Sequence, residues 1–586
     1  MPLFPKLHSQ FTQQELIDTF RGYDHRLRIP DGAWYDTKNL TSDLSPLLAS
    51  RSRRGDTHRS AVSLLEKDAL AYVSASGTLY YNFLPTPVTA LSPGGKQLVS
   101  MGAYLVIFPD KVYFNTEDQT DYGSLEARFA PQRASYRMVR RDGTAADADF
   151  VQPDAPPSPR NGQYWIDTSG ETPVLRQWSE AQDEWVAVET VFVKISFETM
   201  GSVPRLFKAG DGVTISGSSA DVNGDRILFD VGGGANENDW ILVTGLPLSL
   251  PAGADTTLRV ERTVPDLDYV CECQNRLWGC RYGLEDGRTL NEICCCALGD
   301  FKNWRQFAGL STDSWTGSVG SDGAWTGAVN YLGCPTFFKE NRIHRVTVSA
   351  EGAHRIDETV CRGVQKGSAK SLVVVNETLY YKSRADVCAY QGGFPRGVSE
   401  VFGPALYHGA AAGAIGGKYY LSMLDEREEG VLFVYDIAKD LWLREDALLV
   451  TDFARVDGEL FAVSGGRLLT LLGSLPVDGA EPEEAVSWEA VSGIQTYEYP
   501  ENKRLSRYNI RLKLARGATL AVHVQYDSDG VWRSAGSLAA AGDGVASYLF
   551  PVRPHRCDHL QLRLSGTGDV RIYSIARILE VGSDYR

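Results

Sequence analysis

Apolar runs in this chain stop at one or two turn-forming residues and resume as a second, usually aromatic run, and this pattern occurs seven times. Apolar runs joined by such short turns predict β-hairpins. Turn pairs such as Ser76-Gly77 and Asp457-Gly458 tolerate the positive φ of tight hairpin turns, which supports this interpretation. The hairpins are predicted at residues 70–82, 102–115, 269–280, 333–346, 371–382, 413–422 and 452–463.

The spacing of these hairpins predicts a β-propeller. Turn markers at Ser76, Pro109, Asn275, Glu340, Asn376, Gly416 and Asp457 are separated by 33, 166, 65, 36, 40 and 41 residues. Most of these intervals are close to the length of one propeller blade, about 40 to 50 residues. Because no single hairpin buries its own apolar faces, the units must pack against their neighbours. We expect about six or seven blades, with an insertion in the interval of 166 residues.

The composition indicates an all-β chain of several parts. At 586 residues the chain is too long for a single core, and its 57 Gly and 26 Pro are typical of turn-rich β-structure. The clearest helix is predicted at 12–20, where Thr12 and Glu15 have capping-box spacing. The predicted parts are an N-terminal docking arm at 1–60, propeller blades at 61–137, inserted small β lobes at 138–262, further blades at 263–473 and a C-terminal β-sandwich at 486–586.

The insertion and the C-terminal region show the alternation of short strands. Residues 163–188 predict three strands around Trp165, Trp178 and Trp185, and the segments after residue 192 predict a small β-sandwich or barrel. The last hundred residues alternate apolar and polar positions without a helical pattern, which predicts a two-sheet sandwich.

The net charge and the cysteine spacing argue against two classes of function, the binding of nucleic-acid phosphates and the binding of zinc. A net charge of -15 argues against a protein that grips nucleic-acid phosphates, although it suits a surface that DNA slides past. An acidic surface kept for solubility is the simpler explanation. Six of the ten cysteines lie between Cys271 and Cys296 without zinc-site spacing, so we expect buried thiols in a reducing compartment. The apolar runs are far shorter than the roughly 20 residues that span a bilayer, so no membrane span is predicted.

No local spacing of residues assembles a catalytic or metal site. Residues 221–232 open like a calcium-binding loop, but Arg226 stands where the sharp turn needs glycine, so a hairpin turn is the better interpretation. Ser321-Asp322-Gly323 is similar to the Asp-box turns of sialidase-like propellers, but its glycine spacing differs. We therefore expect no catalytic, cofactor-binding or metal-binding residues, no cofactor, and a protein that is not an enzyme.

Two stretches resemble a known family. Residues 20–55 contain Phe-Arg-Gly, Pro-Asp-Gly before Ala33 and Trp34, then Asp36, Asn39 and a final Arg-Gly. Residues 264–280 contain an Asn-Arg-Leu-Trp hairpin, and Gly-Asp-Phe-Lys-Asn-Trp follows where the family has a Gly-Asp-Pro-x-Asn-Trp-like turn. Together they resemble the β-propeller virion proteins of tailed bacteriophages, which form the tail hub or nozzle of short-tailed phages. Residues 156–170 also resemble a small module of phage tail and fibre proteins.

The resemblance implies a structural virion protein that forms a ring, expected to be a homohexamer, as the tail nozzle or hub around the channel for genome ejection. Implied partners are other copies of the chain, the tail adaptor or connector, other tail proteins, transient double-stranded DNA in the channel and the host cell surface. The implied location is the phage tail of the virion, after synthesis in the bacterial host cytoplasm. Alternatives are a receptor- or glycan-binding tail module that contacts the host surface, and a propeller enzyme such as a depolymerase.

The arm and the C-terminal sandwich are the best interface candidates. The arm has aromatic and apolar residues but too few for a core of its own, so it must dock on something. Its own propeller is the simpler partner, and a neighbouring copy or an adaptor ring is the more specific one. The candidate interface residues are Phe11, Phe20, Tyr23, Trp34, Tyr35, Arg51, Arg53 and Arg54.

Overall fold

The structure is a computed structural model that describes residues 12–246, 255–285, 287–349, 353–496, 503–539, 544–553 and 555–581. The chain is an all-β protein with a propeller-like fold, and its described residues form seven blade sheets, inserted β lobes and a C-terminal β-sandwich. This confirms the predicted fold class. Within the described residues the only α-helix is α1 (Val203–Leu206), and 3₁₀ turns lie at Ala369–Ser371 and Glu400–Phe402.

The arm contributes six strands, and two four-stranded blades follow it. The arm strands are β1 (Thr12–Ile17), β2 (Gly22–Tyr23), β3 (Ala33–Lys38), β4 (Leu40–Thr41), β5 (Leu48–Ser50) and β6 (Gly55–Ser60). Blade 1 consists of β7 (Ser63–Lys67), β8 (Ala69–Val73), β9 (Leu79–Tyr81) and β10 (Leu84–Pro85). Blade 2 consists of β11 (Gln97–Met101), β12 (Tyr104–Phe108), β13 (Val112–Asn115) and β14 (Tyr122–Ser124).

The insertion begins at residue 127 rather than 138 and forms three four-stranded sheets. Its strands are β15 (Ala127–Phe129), β16 (Ala134–Val139), β17 (Phe150–Gln152), β18 (Tyr164–Asp167), β19 (Val174–Ser179), β20 (Glu184–Ala187), β21 (Phe192–Met200), β22 (Gly212–Ser216), β23 (Gly224–Ile227), β24 (Asp230–Gly234), β25 (Glu237–Thr244) and β26 (Arg259–Arg262). The sheets β15-β26-β22-β23 and β16-β21-β25-β24 enclose one apolar core and form a small sandwich. The sheet β17-β18-β19-β20 is a separate lobe.

Five more blades follow the insertion. Blade 3 consists of β27 (Tyr269–Cys273), β28 (Arg276–Glu285), β29 (Arg288–Cys295) and β30 (Trp315–Ser318), and blade 4 of β31 (Gly327–Tyr331), β32 (Cys334–Lys339), β33 (Arg342–Val348) and β34 (His354–Val360). Blade 5 consists of β35 (Val373–Val375), β36 (Thr378–Lys382), β37 (Val387–Tyr390) and β38 (Arg396–Gly397), and blade 6 of β39 (His408–Ile415), β40 (Lys418–Leu424), β41 (Gly430–Asp436) and β42 (Leu441–Arg444). Blade 7 contains β43 (Asp452–Val456), β44 (Glu459–Ser464) and β45 (Arg467–Thr470).

Blade 7 is built from β43, β44 and β45 together with a strand of the N-terminal arm. Its fourth strand is β6 of the arm, which pairs with β45 so that Gly55 lies opposite Thr470. The short strand β46 (Glu481–Pro482) then pairs with β6 on its other side. Each of the seven predicted hairpins lies in a different blade, and Asp457 and Gly458 have the positive φ that the turn chemistry predicts. The seven-hairpin prediction is therefore confirmed.

The C-terminal region forms a sandwich that includes strands of the arm. Its own strands are β47 (Ser487–Ser492), β48 (Lys503–Leu514), β49 (Thr519–Tyr526), β50 (Arg533–Ala539), β51 (Ala546–Pro551), β52 (Arg556–Cys557), β53 (Leu560–Thr567) and β54 (Val570–Val581). One sheet has the order β4-β5-β54-β48-β51, with β1 paired to β54 and β52 to β48, and the other has the order β2-β3-β47-β53-β49-β50. The predicted arm of residues 1–60 therefore belongs to the sandwich and to blade 7.

The helix predicted at the start of the arm is wrong. β1 is a strand that pairs antiparallel with β54, and Glu15 lies opposite Arg577. The Glu15 carboxylate forms an ion pair with the Arg577 guanidinium at 2.6 Å. The partner strand supplies the backbone hydrogen bonds that a helix would have formed locally, so long-range pairing overrides the capping-box signal.

The chain divides into two compact units. One contains Met1–Lys96, Phe337–His344 and Glu358–Arg586, and the other contains Gln97–Thr336 and Arg345–Asp357. The first unit holds blades 1, 5, 6 and 7 and the sandwich, whereas the second holds blades 2 and 3 and the insertion. In the first unit the leading strands of successive blades, β35, β39, β43 and β7, contact one another side by side.

Candidate functional site

The aromatic residues predicted as an interface pack inside their own chain. Phe20 and Trp34 are buried in the sandwich core, with ring centroids 6.0 Å apart. Tyr23 is buried in the apolar cluster of blades 5 and 6. Tyr35 stacks on the His25 ring at 4.0 Å. These four side chains are already used within the first unit.

The basic cluster of the arm is also engaged within the chain, with one exception. Arg51 Nη1 lies 2.7 Å from Glu483 Oε2. Arg54 donates to Glu445 Oε2 and Asp446 Oδ2, each at 2.7 Å. The Arg51 and Arg54 side chains are only 5% and 7% exposed. We call this group of five residues the arginine seam.

Arg53 is exposed, and Phe11 lies outside the described residues. Of the two interpretations of the arm, docking on its own chain describes Phe20, Tyr23, Trp34 and the two seam arginines, and the interpretation that these side chains contact a neighbouring copy or an adaptor ring is corrected. These side chains are held by the sandwich and the blades of the same chain. The arm had too few apolar residues for a core of its own because it completes the cores of two larger elements.

The polar motif residues of the arm make specific contacts with the sandwich and with the end of blade 6. Asp31 Oδ2 accepts from Arg577 Nη2 at 2.6 Å. Asp36 pairs with Arg444 of β42 at 2.9 Å. The Asn39 side-chain amide donates to the Ser487 carbonyl at 2.8 Å. The Asn39 backbone N–H donates to the carbonyl of Glu445, which directly follows the last strand of blade 6. The motif of residues 30–55 thus joins the sandwich to blades 6 and 7.

A cavity of about 520 Å³ lies among the leading strands of blades 1, 5, 6 and 7. Most of its wall is aliphatic, and its polar side chains are Glu66, Lys370, Asn376, Asp452 and Arg455. Sequence analysis identified none of these residues as a site.

Asp452 is the central polar group of this cavity. Its Oδ2 accepts from Lys370 Nζ at 2.6 Å and from the Leu64 backbone N–H at 3.1 Å, and Oδ1 accepts from the Phe453 N–H at 3.0 Å. Burial raises the pKa of Asp452, although Lys370 and the backbone donors oppose the shift. Asp452 is in blade 7, Leu64 in blade 1 and Lys370 precedes blade 5. The carboxylate is therefore a clasp that connects three blades.

The separate lobe of the insertion presents aromatic rings on one face. Strand pairing places Phe150 opposite Trp165 and Trp178 opposite Trp185. The ring of Trp185 lies 5.5 Å from those of both Trp165 and Trp178. The opposite face packs on an apolar cluster around Tyr164. Trp165 is buried whereas Trp178 and Trp185 are half-buried, so part of the aromatic face meets solvent.

The cysteines and the other metal-ligating residues are the remaining candidates for a chemical site. Cys271, Cys273, Cys280 and Cys294 to Cys296 are buried and free, as predicted for blade 3. Among the described residues, no group of three or more His, Cys, Asp or Glu side chains is arranged to hold a metal ion. None of the described helices is long and apolar enough to cross a membrane.

Comparison with known proteins gives structural neighbours but no family. No family model matches the chain, and no curated protein matches it. A Bacillus subtilis arabinoxylan arabinofuranohydrolase of glycoside hydrolase family 43 is 9% identical over 52% of this chain and 94% of that chain, with a TM-score of 0.17. Trypanosoma rangeli sialidase is 7% identical over 90% of this chain and 96% of that chain, with a TM-score of 0.19.

These neighbours correct one expectation. The inference that a repeat-built all-β chain without a local catalytic motif is not an enzyme is wrong, because the solved structures to which this chain is similar are glycoside hydrolases and a sialidase. An engineered enzyme of family 43 is a further example, 11% identical over 54% of this chain and 97% of that chain, with a TM-score of 0.21. Identities this low assign no activity to this chain.

Proposed function

We propose that the chain is a structural protein of a bacteriophage tail that assembles into a ring, as a nozzle or hub around the channel for genome ejection. The observation that carries this proposal is the role of the arm motif. Of the residues that resemble the phage family, Asp36, Asn39 and Arg54 bind the end of blade 6 across the junction of sandwich and propeller, whereas Asp31 binds Arg577 within the sandwich. A motif used to fix two elements rigidly together supports a frame for assembly.

The mass of the purified full-length chain tests this proposal. A homohexamer of the 64.4 kDa chain has a mass of about 386 kDa, six times that of the monomer. We expect mass photometry to show this species and negative-stain electron microscopy to show closed rings. A monomer at all concentrations and salt conditions would contradict the proposal. Deletion of the arm is not a suitable test, because its strands complete both sheets of the sandwich.

A second candidate function is binding of host glycans by the aromatic face of the inserted lobe. Half-buried tryptophan rings combine a large apolar area with a polar N–H, a combination suited to the faces and hydroxyls of sugars. The observation that favours this function is the side-by-side placement of Trp165, Trp178 and Trp185 on one exposed sheet face.

A glycan array probed with the full-length chain tests this second function. We expect Trp178→Ala to abolish glycan binding if the aromatic face is the site. Trp532→Ala is the matched control, because Trp532 is also half-buried but lies in the sandwich beneath Arg563. Equal binding by wild type and Trp178→Ala, or no binding by wild type, would remove this function from consideration.

A further inference from the structure

The C-terminal sandwich region is basic in an acidic chain. Residues 486–586 contain 13 Lys and Arg against 10 Asp and Glu, a net charge of +3. The preceding 485 residues contain 46 Lys and Arg against 64 Asp and Glu, a net charge of -18. The two regions therefore have opposite charge, and a second copy of the chain supplies a complementary surface to each of them.

The basic residues are concentrated on the outer face of β48. Successive side chains of a strand point to opposite faces of its sheet. Tyr508, Ile510, Leu512 and Leu514 are buried in the sandwich core. The alternate positions point outward and are Arg507, Asn509, Arg511 and Lys513. Three of these four outward positions are cationic, and both arginines are exposed.

The neighbouring strands do not neutralise these cations. Arg507 lies between Pro551 and Ile578, and Arg511 lies between Ser547 and Ser574. None of these four neighbours is charged. In the described part of the chain, Arg507, Arg511 and Lys513 form no ion pair.

Lys513 lies directly opposite Arg571 of β54. Like charges placed directly opposite each other destabilise a sheet. Arg571 Nη2 forms an ion pair with Asp569 Oδ2 at 3.8 Å. Among the described residues, the outer face of the sheet thus has an excess of positive charge, and of its four cations only Arg571 forms an ion pair. We define the basic face as Arg507, Arg511, Lys513 and Arg571.

An open apolar edge adjoins the basic face. β51 is the last strand of its sheet, and among the described residues it pairs only with β48. Leu549 of β51 is 59% exposed, and residues 544–552 contain no charged side chain. Proteins usually protect edge strands with charged residues, bulges or a covering element. An apolar edge without that protection is typical of a surface that another protein covers.

We propose that the basic face and the β51 edge bind the acidic propeller of a second copy, which is the contact that links subunits into the ring. This inference rests on the proposed ring-forming function. The contact is heterologous, because a sandwich surface of one copy meets a propeller surface of the next, and such contacts generate rings. A DNA duplex would neutralise the cations but would leave the apolar edge of β51 uncovered, so a protein partner fits the whole surface better.

Charge reversal tests this contact. We expect the triple variant Arg507→Glu, Arg511→Glu and Lys513→Glu to raise the subunit concentration needed for ring assembly by about tenfold or more. Mass photometry measures this concentration. Wild-type rings should dissociate as sodium chloride is raised, since salt screens exposed charges. The matched control is Arg141→Glu, Arg160→Glu and Arg205→Glu, which changes the net charge equally at exposed residues of the inserted lobes that form no ion pair in the described structure. The control should leave assembly unchanged.

The outcomes separate this inference from the ring function itself. If the wild type forms rings and the triple variant forms them equally well, the basic face is not the contact, although the ring function stands. If the wild type never forms rings, the proposed function fails. A labelled DNA duplex titrated into both proteins gives the third outcome. Loss of duplex binding in the triple variant with unchanged assembly would assign the basic face to DNA and overturn the inference. Circular dichroism and the thermal midpoint verify that the variants fold.

Discussion

Arg54 and Asp446 form an ion pair across the junction of the arm and blade 6, with Arg54 Nη1 2.7 Å from Asp446 Oδ2. Burial opposes the charge of Arg54, but Glu445 and Asp446 raise the pKa of its guanidinium above the ordinary value. The guanidinium stays charged because two carboxylates surround it. The arginine seam is therefore a single electrostatic unit, and removing one member leaves the others unpaired in a buried site.

Arg54→Ala should strongly destabilise the first unit. The substitution leaves Glu445 and Asp446 without their main partner, and breaking a buried ion pair typically costs about 3–5 kcal/mol. Thermal unfolding of the full-length variant measures the effect. Arg53→Ala is the control, since this neighbour is exposed and its loss should change stability by no more than about 0.5 kcal/mol. Equal midpoints for the two variants would contradict the prediction.

The arginine seam should also give the protein an acid limit. Burial alone would raise the pKa values of Asp446 and Glu483, but the seam arginines hold both below their ordinary values of 3.8 and 4.5. Groups with lowered pKa values stabilise the fold above their unfolded-state pKa, and this contribution is lost as the pH falls through the folded-state values. The thermal midpoint should therefore decrease as the pH is lowered below about 4.5. The double variant Arg51→Met, Arg54→Met should show a shallower fall, and parallel curves would exclude the seam as the cause.

Asp452→Ala should loosen the contact among blades 1, 5 and 7. The carboxylate accepts hydrogen bonds from Lys370 and from the Leu64 N–H, and unsatisfied buried partners typically cost about 1–3 kcal/mol each. We expect a lower thermal midpoint and faster amide hydrogen exchange in β7. Arg455→Ala is the control in the same cavity, because Arg455 is 58% exposed and lies 3.9 Å from Glu66. A comparable loss in the control would mean that the clasp has no special role.

The thiols of blade 3 should be inert in the folded protein. Burial raises the pKa of Cys273 to about 12 and that of Cys295 to about 11. Thiolates are the reactive form, so burial and a high pKa both slow modification. Of the ten cysteines, only Cys334 and Cys361 are not buried. At pH 8 a chromogenic disulfide reagent should modify these two first and the other eight only on unfolding, and rapid reaction of more than two would contradict the structure.

The architecture could be predicted from the sequence because its signals are local. A blade hairpin is a short turn between two apolar runs, and all the residues that specify it lie within about a dozen positions. The broken interval located the insertion for the same reason. The start of the insertion at residue 127 was missed because β15 and β16 continue the strand pattern of blade 2 without a change in composition.

The arm and the candidate sites could not be predicted, because their partners are distant in sequence. Arg54 and Glu445 are 391 residues apart, and neither has a local feature that indicates the other. The helix at residue 12 was predicted from a four-residue pattern that a partner strand overrides. The basic face did have a local signal, because Arg507, Arg511 and Lys513 alternate with the buried residues of one strand. Reading charge on the outward positions of a predicted strand would have found it.

The strands of the arm are synthesised before the strands with which they pair. β1 and β6 leave the ribosome long before their partners β54 and β45, and 562 residues separate Glu15 from Arg577. The first unit therefore cannot close until β54 has been synthesised. A truncated product keeps its arm strands as unpaired edges, which chaperones and proteases recognise. Late closure thus acts as a check on chain integrity, since only a chain that extends through β54 has no such edges in its arm.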